Sequence, residues 1–172
     1  PEADVLAQAG DVALALGFLQ RRAAALGLDA GRIALVGHSA GAHLAGLLVA
    51  DPPAGLAPWR ATVLVDTAAL DMVAVMTRPH FAFYDPVFGD DPDFWRRASP
   101  THRLQGPPRT PVLLVHGARR ADARDAAEGF AARARGFGGH VALLPVALGH
   151  LEINDALGRD PAYTAAVDAF LD

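Results

Sequence analysis

With 172 residues, 52% of them hydrophobic, and a mean hydropathy of +0.21, the chain holds enough apolar material for a single domain spanning 1–172 with a buried core. Its 15 basic residues are outnumbered by 19 acidic ones, and they are dispersed apart from pairs such as Arg21-Arg22 and Arg119-Arg120. The formal charge of −4 therefore does not suggest a polyanionic partner, and no nucleic-acid partner is expected. The lack of cysteine excludes disulfides and thiolate chemistry, and every apolar run is interrupted well short of the roughly 18 to 20 residues of a membrane span.

Pro1 opens the chain without an initiator Met and leads directly into a helical pattern, so the sequence is expected to be a product truncated at its amino terminus. From Glu2 to Leu26, the residues Val5, Ala9, Val12, Leu16 and Leu19 recur at spacings of four and three, predicting one face of an amphipathic helix stopped at Gly27. Arg32 to Val36 is a short apolar run that breaks at Gly37, as a buried strand does. A helix rich in Ala, Gly and Leu follows from Ala40 to Ala50, and Asp51-Pro52-Pro53 ends it. Ala61 to Val65, Val112 to Val115 and Val141 to Leu144 read as three further strands, with helices over Asp125 to Arg135 and Pro161 to Leu171. Strands alternating with helices predict an α/β class, with a parallel sheet of about four strands covered by helices on both faces.

Gly37-His38-Ser39-Ala40-Gly41 matches the nucleophile-elbow pattern G-x-S-x-G and lies between a predicted strand and a predicted helix, where the pattern has mechanical meaning. The crowded turn calls for glycine at the flanks and pushes the serine hydroxyl out at the carboxyl edge of the sheet. The Ala40 N–H then becomes an oxyanion donor. A serine hydroxyl needs a base, and His150, a short loop after the last strand, is the best placed of seven histidines. His43 and His116 read as structural, and His80, His102 and His140 as loop or surface residues. His38 and His43 are five apart and lack a carboxylate pair, so no metal is expected, and no cofactor is implied. The acid is expected after the strand Val112 to Val115, where Asp122 in the loop is preferred to Asp125, read as a helix-capping residue. Phe81, Phe83, Tyr84, Phe88, Phe94 and Trp95, half of the twelve aromatics, lie between the second and third strands. They either form a substrate pocket, for which His38, Phe81, Phe83 and Tyr84 are the candidates, or anchor a long loop.

The blocks GRIALVGHSAGAHLAGLL, DPDFWRRASP, PVLLVHG and LGHLEIN resemble the α/β-hydrolases, in the branch of hormone-sensitive-lipase-like esterases and arylformamidases. The resemblance implies a partial fold lacking the first strands, with Ser39 as nucleophile, His150 as base and Ala40 as oxyanion donor. It also implies two departures. The acid's usual place, four residues after the His of the HG pair, is held by Arg120, so Asp122 is left as the substitute. The HGGG-type loop carrying a second oxyanion donor is not in the chain. The expected activity is hydrolysis of a small-molecule carboxylic ester through an acyl-enzyme. The alternatives are an arylformamidase-like amidase and a hydrolase-fold binding protein with impaired catalysis. A cytoplasmic location and association between copies are the remaining expectations.

Overall fold

A computed structural model describes residues 3–172, so Pro1 and Glu2, where the first helix was expected to begin, lie outside the described residues. Helix α1 (Val5–Arg22) starts at Asp4, whose carboxylate accepts the N–H groups of Leu6 and Ala7, and ends in a short 3-10 turn closed by Gly27 in the left-handed region. The expected face is modified: Val5, Ala9 and Leu16 are buried, but Leu19 is exposed and the small residues Ala13 and Gly17 take the inner positions. Strand β1 (Ala34–His38) continues through Gly37 instead of stopping at Val36, and α2 (Ala40–Ala50) follows after a single residue, Ser39. β2 (Ala61–Val65), β3 (Val112–Gly117) and β4 (Val141–Val146) complete a parallel sheet in the order β1-β2-β3-β4.

Alternation along the strands divides the core into two faces. Leu64, Val112 and Leu114 pack with α1, α2 and α7 (Ala121–Gly136), whose Ala127, Phe130, Ala131 and Ala134 recur at helical spacing. Val63, Val65, Leu113 and Val115 face the opposite way, onto Ile153 of α8 (Glu152–Ala156) and Tyr163 and Val167 of α9 (Pro161–Leu171). The excursion between β2 and β3 folds into four short helices, α3 (Met72–Met76), α4 (Asp85–Phe88), α5 (Pro92–Arg97) and α6 (Pro100–Arg103). Phe88, Tyr84, Phe94 and Trp95 join Val5, Met72 and Met76 in a third apolar cluster, which seats the excursion at the carboxyl end of the sheet. No helix among the described residues is long and apolar enough to cross a membrane.

Candidate functional site

The passage from β1 to α2 is compressed into one residue, and the compression fixes its geometry. A Cβ built on Gly37 would come within 2.4 Å of Gly41 O, so the strand can approach the helix only without a side chain there. A Cβ at Gly41 would meet nothing within 4 Å, which corrects the expectation that both flanks must be glycine. Ser39 itself adopts φ 55° and ψ −116°, a backbone conformation costly for a residue with a side chain. The Ala40 N–H, at the first position of α2, has no intrahelical acceptor.

His150 sits in the loop after β4, and its ring reaches across the sheet edge to both β1 and β2. His150 Nε2 lies 3.0 Å from Ser39 Oγ, and His150 Nδ1 lies 2.7 Å from Asp66 Oδ2. Two contacts place the loop. His38 Nε2 bonds the His150 carbonyl at 2.8 Å, with the two rings 4.6 Å apart, and Gly117 lets the loop come close, since a Cβ there would stand 2.7 Å from Leu148 O. Ser39 and Asp66 (φ 51°) are the two non-glycine residues with positive φ among the described residues, and both contact this histidine.

The carboxylate at His150 is therefore Asp66, which directly follows β2, and the expectation of Asp122 is corrected. Helix α7 begins at Ala121 rather than Asp125, which carries Asp122 into its first turn, where its carboxylate bonds Arg120 Nη2 at 2.8 Å. Asp125 is bonded by Arg124 and does not open the helix. Asp66 is 1% exposed, and its other oxygen accepts the Gly117 N–H at 2.9 Å. Burial opposes its charge, but the bonds from Gly117, His150 and Arg120 outweigh that cost and hold the carboxyl below its ordinary value. The sequence carried one signal for it: an acidic residue ending the strand next to the Ser39 strand, at the carboxyl edge where sites of open parallel sheets form. Arg120 Nη1 donates to Asp66 Oδ2, the oxygen at His150, and lies 2.6 Å from His150 Nδ1.

Of the other histidines, His43 is buried against Phe88 with Nε2 2.7 Å from the Ala98 carbonyl, and burial pushes it below the ordinary histidine value. His116 is buried, while His80 and His102 pair with Asp85 and Asp71. His38, Asp66 and His150 offer ligand atoms within 4.8 Å of one another, but each is engaged by a protein partner, and a metal dication there would face the Arg120 guanidinium. A cavity of about 560 Å³ opens beside Ser39, walled by Leu44, Phe81, Phe83, Tyr84, Val87 and Phe88. Phe81 and Phe83, both mostly exposed, stack with centroids 5.7 Å apart at its rim. Within the aromatic excursion Phe94 and Trp95 serve as the anchor to the third apolar cluster, and Phe81, Phe83 and Tyr84 line the cavity.

A model of the BD-FAE family matches residues 1–52, the stretch from α1 to the end of α2. No curated protein matches the chain. Among solved structures, native esterase 2 of the planctomycete Thermogutta terrifontis is 22% identical, with a TM-score of 0.74 over 99% of this chain and 65% of that one. The same esterase with bound butyrate, and the form phosphoramylated by tabun, are each 22% identical with a TM-score of 0.71, over 99% of this chain and 66% of theirs. The chain thus has the α/β-hydrolase fold that these structures share, and it spans just under two thirds of their length. Its four strands and flanking helices form a partial version of that fold, without the early strands.

Proposed function

We propose that this chain is the catalytic part of a serine hydrolase that cleaves small, uncharged carboxylic esters. The hydrogen-bonded line from Ser39 Oγ through both ring nitrogens of His150 to the buried Asp66 carboxylate carries the reading. In this mechanism Ser39 Oγ attacks the ester carbonyl while His150 Nε2 takes its proton, and the Ala40 N–H donates to the carbonyl oxygen as it becomes negative. His150 returns the proton to the departing alcohol. A water then repeats the sequence on the acyl-serine, its proton passing through Nε2 back to Ser39 Oγ as the acid leaves. Asp66, in place of Asp122, holds the Nδ1–H and balances the charge of the imidazolium. The apolar walls of the 560 Å³ cavity suit an uncharged acyl or alcohol group, with Phe81, Phe83 and Tyr84 at its mouth. The motif blocks draw the proposal toward the hormone-sensitive-lipase-like and arylformamidase branch, and the same residues would cleave an aryl formamide.

One observation favours the second reading, a hydrolase-fold binding protein with impaired catalysis: the Arg120 cation crowds the nitrogen that must carry the imidazolium proton. Covalent labelling separates the two. The protein is expected to react with a fluorophosphonate probe and to lose that reaction in Ser39→Ala; labelling retained in the alanine variant rejects Ser39 as nucleophile, and no labelling of the native protein supports the binding reading.

A further inference from the structure

Three atoms at the back of His150 form a triangle. Asp66 Oδ2 is 2.7 Å from His150 Nδ1, Arg120 Nη1 bonds the same Oδ2, and Nη1 stands 2.6 Å from Nδ1. No protonation state of the imidazole makes all three edges hydrogen bonds. With a proton on Nδ1, both nitrogens donate to Oδ2 and two donors face each other along the third edge. With Nδ1 bare, Arg120 donates to both Oδ2 and Nδ1, and the imidazole lone pair faces the carboxylate. The groups around the triangle leave little room to escape the conflict. Asp66 Oδ1 is taken by the Gly117 N–H, Arg120 Nη2 is tied to Asp122, and the His150 backbone is held by His38.

We propose that Arg120 is a positioning residue that competes with His150 for Asp66 and thereby shifts the imidazole toward the tautomer protonated at Nε2. In that tautomer Nε2 donates to Ser39 Oγ and is unable to accept its proton, so Arg120 is a built-in brake on the base. The consequence for turnover rests on the hydrolase reading above; the tautomer shift does not. The guanidinium also lines both the cavity beside Ser39 and a second one of about 600 Å³ bounded by α3 and α7, so its position is open to influence from either side.

The test compares the full chain with Arg120→Met, which keeps an apolar stem without the charge, and Arg120→Lys, which keeps the charge. The tautomer is read from ring-¹⁵N NMR of labelled histidine, with His150 assigned through His150→Gln, and thermal unfolding verifies that each variant is folded. The expected result is a larger Nδ1–H share in Arg120→Met than in the native chain, with Arg120→Lys between them. For 4-nitrophenyl acetate, kcat should rise about three- to tenfold in Arg120→Met at unchanged KM. Ring signals that do not move in either folded variant overturn the brake, as does a fall in kcat with Arg120→Met. Turnover that Ser39→Ala abolishes, combined with unmoved ring signals, rejects the brake and keeps the hydrolase. The expected ring shift without any Ser39-dependent turnover does the reverse.

Discussion

Asp66 combines near-complete burial, a left-handed backbone and bonds from three donors, which gives a single substitution two separable effects. Asp66→Asn removes the acceptor for His150 Nδ1–H and should lower kcat on a short-chain ester by about ten-thousandfold with little change in KM. Asp122→Asn, which loses only a solvent-facing bond to Arg120, should stay within about tenfold of the native rate. Equal losses in the two variants would remove Asp66 from the mechanism. The second effect is on stability. Because the folded carboxyl ionises below its unfolded value of about 3.9, its contribution is complete above that value and is lost as pH falls through the lower folded one. Urea titrations from pH 6 to pH 3 should therefore show the native chain losing its stability advantage over Asp66→Asn on the acid side. Ser39 and His150 were legible in the sequence because each carries a local pattern: G-x-S-x-G at a strand-helix junction, and a histidine just past the last strand. Asp66 was not, since its role depends on which strand ends stand next to His150. The left-handed φ that turns its carboxylate toward the ring leaves no mark in the residue order.

At the scale of elements, the turn that presents Ser39 depends on a close approach of β1 to the start of α2, and its two glycines should behave oppositely. Gly37→Ala drives a Cβ into the Gly41 carbonyl, 2.4 Å away, and since backbone lies on both sides it should cost about 3 kcal/mol. Gly41→Ala enters open space within α2 and should be neutral or stabilise by about 0.5 to 1 kcal/mol from helix propensity. Urea midpoints of the two variants measure both, and a Gly37→Ala variant as stable as the native chain would remove the close approach as the reason for that glycine. Elements bounded by strong punctuation were read to the residue: α2 ends at Asp51-Pro52-Pro53, and α9 opens with Asp160 capping and Pro161 in its first turn. Helix α7 begins four residues before the Asp125 start that the sequence predicts, because Ala-Asp-Ala-Arg suits a loop as well as a first turn, and the turn that leads into it, closed by the Arg120 N–H to Gly117 O bond, is made by backbone groups that leave no mark in the residue types. In α1 the large Leu19 is predicted inside, yet the inner face is made by Ala9, Ala13 and Leu16, with Gly17 turned toward Leu56 in the loop after α2. The four short helices between β2 and β3 were illegible for a simpler reason: four to six residues are too few to show a period.

Across the whole molecule the two edges of the sheet are protected unequally. β4, at one end of the order, carries Pro145, and a proline within an edge strand discourages further pairing. β1, at the other end, has β2 on one side and no strand on the other among the described residues, and its sequence Ala34-Leu35-Val36-Gly37-His38 contains neither proline nor an acidic or basic charge. α9 covers the β2 to β4 part of its face, which leaves Val36 47% exposed, and Leu14 and Phe18 on the outer side of α1 are exposed as well. An open, uncharged strand edge that carries the exposed Val36 favours pairing with a second chain. The 172-residue chain alone is therefore expected to show a mass that rises with concentration in light scattering. Val36→Lys, which places a charge at that edge, should return it toward the monomer mass. Phe137→Lys, which removes a comparably exposed apolar side chain after α7, should leave the association unchanged. A native chain that stays monomeric through hundreds of micromolar would show that β1 is a protected edge, and equal dispersal by both lysine variants would assign the association to general surface hydrophobicity instead of to the strand.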